Sequence, residues 1–473
     1  MVMNGELRSS SKDGSRSPAS SADQEALVDV PLSFELSGFE PLPNANRGGE
    51  AGPSAKWYHA AFHTITAVVG VGVLGLPYSF SYLGWIGGIL ALVATLAASL
   101  YTAYLLSALH EEPDGTRHNR YVDLGRAILG DAWAKWLITP LQYSVMIGLA
   151  VAYLVTAGQS FQAVHNNRCN GHTENAADVD VDNCKRALTG WIILFGGIQL
   201  LLSQVKDFHS LWWVSLLGAA MSVMYSMIAF VASAVKGHSG VSFDKHSGSA
   251  VDRTFGTFNS FGTIMFAFGG QIVMPEIQAT LAVPPPAVES MMKGIYFAYV
   301  IVTLAYFPVA TAGYAAFGNQ VNADVLLSVS RPAGLIEVAN FMVVIHIAAS
   351  YQIFAQPVFE NVETFITERQ LWPSSRPRLM RAVVRSLYVA LTTFVAICLP
   401  FFADLMGLIG AAGFTPMTFI LPCVFWIKAR QPQGIVFWVN ITIIVVYSLG
   451  GLLAAVGSIR QIILHARTYN LFH

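Results

Sequence analysis

The sequence predicts an all-α integral membrane protein of eleven transmembrane helices, built as two five-helix repeats of opposite orientation in which the first and sixth helices are broken. Three observations carry this prediction. Of 473 residues, 54% are hydrophobic and only 12% are charged, about half the charged share of an average soluble domain. Eleven apolar segments can be counted, most of them long enough to cross a hydrocarbon layer of about 30 Å. Finally, two stretches carry matching Gly/Pro interruptions, in which Gly72 and Pro77 stand at the same offset as Gly270 and Pro275. Glycine tolerates non-helical backbone and proline lacks a donor, so a helix breaks there. Inside a membrane such a break survives only beside protein or a water-filled cavity.

Taken in order, residues 1–56 are rich in Ser, Pro, Gly and charge and lack the apolar core of a secretory signal. They are expected to form a disordered cytoplasmic tail. The first apolar run, 58–83, contains Gly70, Gly72, Gly75 and Pro77. Further spans are read at 84–107, 136–164, 188–204, 210–235, 256–282, 294–317, 335–361, 383–401, 403–427 and 434–458. The eighth is long enough to project beyond the bilayer. Five is odd, so residues 57–235 and 236–430 form two five-helix repeats of opposite orientation. Residues 431–473 hold the eleventh helix and a short outer tail. Two thirds of the 27 Lys and Arg residues fall on one side of this topology, which places the N-terminus in the cytoplasm and the C-terminus outside. The loop at 164–188 then faces outward and contains Cys169 and Cys184, where an oxidising compartment favours a disulfide between them.

Several function classes are excluded. A net charge of −1 leaves no footprint for nucleic acid. Neither a Walker loop nor a His-Glu-x-x-His zinc motif is present, so neither an enzyme nor a metal centre is expected. Gly70-Val71-Gly72-Val73-Leu74-Gly75 matches the dinucleotide fingerprint in letters only. It lacks the preceding strand and the acid some twenty residues on.

Paired breaks in corresponding halves point to a transporter binding site near the midplane. The N–H groups of Val71, Gly72 and Val73 open a half-helix whose positive dipole end can hold a carboxylate. Carbonyls of Thr66, Ala67 and Val69, with those of Phe266, Ala267 and Phe268, can receive an ammonium group. Gly70, Gly269 and Gly270 let the backbone approach, and Phe268, Gln271, Tyr143, Met146 and His346 are candidates to read the variable part of the solute. Glu276 directly follows the second break and is the foremost candidate to carry a coupling proton, because a desolvated carboxyl favours its neutral form. His63, two turns before Gly70, is the second. His346, near Ser350, and Glu360 rank below them.

The motif order Phe62-His63-Thr64-Ile65-Thr66-Ala67-Val68-Val69-Gly70-Val71-Gly72-Val73-Leu74, Leu76-Pro77-Tyr78, Glu276-Ile277-Gln278-Ala279-Thr280, Tyr306-Phe307-Pro308, Phe317-Gly318-Asn319 and Val344-Ile345-His346 resembles the amino acid/auxin permease family. The likeness is greatest to its plant lysine/histidine-transporter-like branch. Met274-Pro275-Glu276 and Gly84-Trp85-Ile86-Gly87-Gly88 are similar to the proline/GABA transporter branch. The resemblance implies a leucine-transporter-like fold and import of neutral and acidic amino acids by proton symport across the plasma membrane. Compatible-solute transport of the proline/GABA type, and amino-acid sensing on the same scaffold, are the alternatives. The implied partners are an amino-acid substrate and the lipid bilayer. No cofactor is expected, and sodium stays open as the coupling ion, as does the oligomeric state.

Overall fold

The computed structural model describes residues 55–468 apart from 113–114, 173–186, 206–211, 238–239, 245, 247–248, 330 and 374. Cys184 and all but the last two residues of the expected tail lie outside the described residues. The first of those two, Ala55, is paired. The Ala55 N–H donates to the Thr280 carbonyl at 3.2 Å and its carbonyl accepts from Ala282 at 3.0 Å, an isolated bridge that pins the entry of the first helix to the segment after the second break.

Helix α1 spans Trp57–Val68 and α2 spans Gly72–Leu109. The 38 residues of α2 would reach about 57 Å at 1.5 Å per residue, nearly twice the hydrocarbon thickness. At Gly84 the backbone leaves the helix (φ 69°, ψ 179°), a conformation that costs glycine nothing but strains any residue with a Cβ. There follow α3 (Tyr121–Leu129), α4 (Thr139–His172), α5 (Leu188–Leu202), α6 (Trp212–Lys236), α7 (Ala250–Ala267), α8 (Met274–Ala279), α9 (Ala287–Phe317), α10 (Ala333–Glu368), α11 (Pro377–Cys398), α12 (Phe402–Leu408), α13 (Leu421–Arg430) and α14 (Gly434–Thr468). Between α12 and α13 the chain widens into a π-helix over Ile409–Ile420. Pro416 cannot donate to this stretch, and the Thr415 hydroxyl donates to the Gly410 carbonyl at 2.7 Å.

Eight helices among the described residues are long and apolar enough to cross a membrane. The pieces α1 and α8 fall outside that group because the breaks cut apolar runs into short lengths, α7 because its 18 residues include Asp252, Arg253 and Asn259, and α5 because it has only 15 residues. The 36 residues of α10 amount to about 54 Å, longer than one crossing. Large apolar side chains on the exterior, such as Ile86, Trp136, Leu201, Val235 and Ile435, present the surface that lipid requires.

Inside, polar side chains tie helices together where little hydrophobic force separates protein from lipid. Gln352 of α10 donates to Gln199 Oε1 of α5 at 2.7 Å. Arg385 of α11, 6% exposed, donates to Glu363 at 2.9 Å and to the Ser203 carbonyl at 2.9 Å. These contacts anchor the short α5. Around the breaks, α1 packs on α9 and α6, α7 packs on α2 and α14, and α10 packs on α4 and α6.

Candidate functional site

At the first break the Val69 N–H still reaches Ile65 at 2.7 Å, whereas Gly70 turns back to the Val68 carbonyl at 2.8 Å. The helix resumes when Val73 and Leu74 donate to Gly70 and Val71 at 3.4 and 3.1 Å. Among the described residues, the Val71 and Gly72 N–H groups have no backbone acceptor, as for the first donors of any helix. Both residues line a small central cavity, so the positive end of α2 points at it.

At the second break, Gly269 and Gly270 donate back to Phe266 and Phe268 at 3.0 and 3.1 Å. A single 3-10 turn over Gln271–Val273 then leads into α8, with Pro275 in its first turn. That turn swings Gln271 away from the cavity. Its Nε2 lies 2.6 Å from Ser99 Oγ, 3.0 Å from the Ser99 carbonyl and 3.1 Å from Tyr299 Oη. Phe268 is fully buried against the Tyr306 ring at 5.2 Å. Neither side chain is on the central cavity wall.

The two breaks touch. A Cβ on Gly72 would stand 2.8 Å from Ala267 Cα, and one on Gly270 would collide with Val68. The Tyr306 hydroxyl lies within hydrogen-bond distance of both Val68 O and Ala267 O. The cavity between them is about 10 Å³ and is bounded by Gly70, Val71, Gly72, Phe266 and Gly269 with Leu149, Tyr153, Phe354 and Phe414. This is room for about one water.

A larger cavity of about 120 Å³ adjoins it, sharing Ala67 and Phe354, and is lined by His63, Thr66, Ser215, Glu276, Ile277 and Ser350. It reaches the surface at Thr280, which is exposed. We call this the inner cavity, after the side on which the sequence is expected to place it. His63 and Glu276 therefore share one chamber. Among the described residues, Glu276 Oε2 is buried without a hydrogen-bond partner, and the Tyr121 backbone and Arg120 guanidinium act on the carboxylate. Thr66 is committed elsewhere, its hydroxyl lying 2.6 Å from the Ser215 carbonyl of α6.

His346 is fully buried, with Nδ1 2.9 Å from the Gly218 carbonyl and Nε2 3.3 Å from Ser350 Oγ. A carbonyl only accepts, so Nδ1 carries the proton, and in the neutral ring Nε2 accepts from the serine. The ring stands beside the first break, 3.7 Å from where a Cβ on Gly70 would lie. Val69 and Val73 are fully buried, and so is nearly all of Met146. None of the three lines the central cavity or the larger cavity beside it, and neither does half-buried Tyr143. Glu360 is exposed on α10. Cys169 is disulfide-bonded.

Leu149, Tyr153, Phe354 and Phe414 are wall residues that sequence reasoning missed. A helical signal for two of them existed. Tyr153 follows Met146 by seven positions and Phe354 follows Ser350 by four, each on the same helix face as a residue that had been singled out.

Residues 53–464 match the family model described as transmembrane amino acid transporter protein. Lysine histidine transporter-like 1 of Arabidopsis thaliana is 38% identical over 424 residues, covering 89% of this chain and 91% of the relative. GABA transporter 1 of the same plant is 34% identical over 434 residues, covering 88% and 92%. Among solved structures, MhsT in complex with L-phenylalanine superposes with a TM-score of 0.51 at 13% identity, covering 86% of this chain and 100% of that one, which is a likeness of fold alone. With touching helix breaks, an all-helical apolar architecture and a family match over most of its length, this chain belongs to the transmembrane amino acid transporter family.

Proposed function

We propose that this protein imports amino acids by proton symport, holding the solute's carboxylate and ammonium at the two breaks and its coupling proton at Glu276. The observation that carries this reading is the meeting of Gly70–Gly72 with Phe266–Gly269 around one cavity, with His63 and Glu276 in the chamber next to it. A helix N-terminus favours a carboxylate, and backbone recognition serves many amino acids at once. In this reading Phe354 separates the central site from the inner cavity, and solute release follows its movement.

The proposal includes eleven spans, with Gly84 as the turn between the first two, in the 5+5 arrangement. It also includes a plasma-membrane setting with the N-terminus cytoplasmic, and Cys184 as the outer-loop partner of Cys169. The GABA transporter relative keeps compatible solutes within the substrate range to be tried.

Uptake by transport-deficient cells, measured across an amino-acid panel at outer pH 5.5 and 7.5 with and without sodium, tests the reading. Concentrative, acid-stimulated, sodium-independent uptake supports it. Binding of amino acids by purified protein without any uptake in proteoliposomes would move the assignment to a sensor, and sodium dependence would replace the coupling ion.

A further inference from the structure

Between α9 and α10, at the end of the bundle opposite the inner cavity, the connecting loop folds inward. Val321, Asp324, Val325, Leu326 and Val329 are at most 5% exposed, whereas Leu327 in the same turn is 38% exposed. The loop sits on the outer half of the first broken span. The Ala323 carbonyl would lie 3.7 Å from a Cβ on Gly75, and Val325 and Pro77 both crowd Gly313. It is braced internally, by Asp324 Oδ1 accepting from the Leu326 N–H at 2.8 Å and Ser328 Oγ accepting from the Asn322 N–H at 2.7 Å. A cavity on its far side, lined by Lys236, Asn322 and Ser328, is thereby separated from the breaks.

Asp324 is the anomaly in this apolar seat. It is 1% exposed, and its Oδ2 has no hydrogen-bond partner among the described residues. Burying an ionised carboxylate without a partner costs several kcal/mol, so such a group takes a proton or leaves. The titratable group that faces it is Tyr225 of α6, whose buried hydroxyl also lacks a partner among the described residues. Lys236, at the outer end of α6, is instead held 3.7 Å over the Phe317 ring.

We propose that Asp324 is the proton-binding group of an outer lid: as a neutral acid it lets the loop seat over Gly75–Pro77, and as a carboxylate it drives the loop out. Burial pushes its carboxyl up to about 7 against the opposing pull of the Leu326 amide. An exposed aspartate titrates near 3.9. The seated lid therefore binds the proton more tightly than the raised one. By linkage, the opening equilibrium grows about tenfold per pH unit between roughly 4 and 7 and levels off above. Tyr225 also packs edge-on against His346 at 5.9 Å, so the seated lid is one ring away from the side chain beside Gly70. The proposal concerns the lid and holds or fails whichever solute is carried.

The test uses purified full-length protein without substrate and a thiol-reactive probe. Val325→Cys reports the buried side of the turn and Leu327→Cys the exposed side, which corrects for thiol reactivity, and labelling of the parent is subtracted. The ratio of the two labelling rates should rise about tenfold per unit from pH 5 to 7 and flatten above. Asp324→Asn, which still caps the turn, should hold the ratio low and flat. A pH-independent ratio with Asp324 in place overturns the proposal, as does an unchanged slope or a high flat ratio in Asp324→Asn.

Discussion

Val68 and Ala267, the last helical residues before the two breaks, share one donor: their carbonyl oxygens lie 2.5 and 2.6 Å from the Tyr306 hydroxyl. One hydroxyl from α9 thus holds two chain ends that are 199 positions apart in sequence. The breaks are joined through a third helix as well as by direct contact, and any motion that separates them has to release Tyr306.

Tyr306→Phe keeps the ring against Phe268 and removes only the hydroxyl. Leaving buried carbonyls short of a donor costs about 1–3 kcal/mol. Thermal unfolding in detergent should register that loss, with solute affinity falling at normal abundance. Wild-type stability and affinity in this variant would show that the direct glycine contacts hold the breaks unaided.

The two glycines of the first break, Gly70 and Gly72, should behave differently. At Gly70 a Cβ meets only His346 Nε2 at 3.7 Å and Tyr153 Oη at 4.0 Å, ordinary contacts, so Gly70→Ala should fold normally and weaken solute binding by intruding on the cavity. At Gly72 the clash is with Ala267 backbone, and at least one helix must move. Gly72→Ala should therefore lose surface abundance or thermal stability by about 1–3 kcal/mol. Size-exclusion profiles and binding assays on both variants check this contrast, and equal behaviour of the two would contradict it.

Glu276→Gln should retain solute binding and exchange while abolishing concentrative, acid-stimulated uptake, because the amide mimics the protonated acid permanently. Proton and solute must strengthen each other's binding equally if both ride together, so the pH dependence of solute affinity should vanish in the same variant. An unchanged pH profile would transfer the role to His63, which shares the chamber.

His110, just past the end of α2, is fully buried beside the Pro275 backbone. Burial pushes its imidazole down to about 4, with Arg117 and then His118 adding to the effect. The unfolded chain, titrating near 6.5, takes the proton more readily than the folded one. Stability is therefore complete above pH 6.5 and falls as pH drops from there toward 4, by up to about 3 kcal/mol. The thermal midpoint between pH 7 and 5 should drop more steeply in the parent than in His110→Leu. Parallel slopes would assign the acid sensitivity to another group.

Sequence alone determined the membrane class and the positions of both helix breaks, and it named Gly70, Gly72, Glu276 and His63, which line two adjoining cavities in the fold. These are local properties: the cost of continuing a helix through Gly and Pro is set within a few residues, and hydropathy sums over one span. Tertiary structure decided which side of the break each side chain takes. Gln271 belongs to the second break by position, yet it turns to Ser99, 172 residues away, because a 3-10 turn has a different angular step from an α-helix. The wall residues Tyr153, Phe354 and Phe414 come from three helices far apart in sequence, and Asp324 is buried from the loop between α9 and α10. Such placements depend on how distant helices pack, and local helix spacing marks only Tyr153 and Phe354 among them.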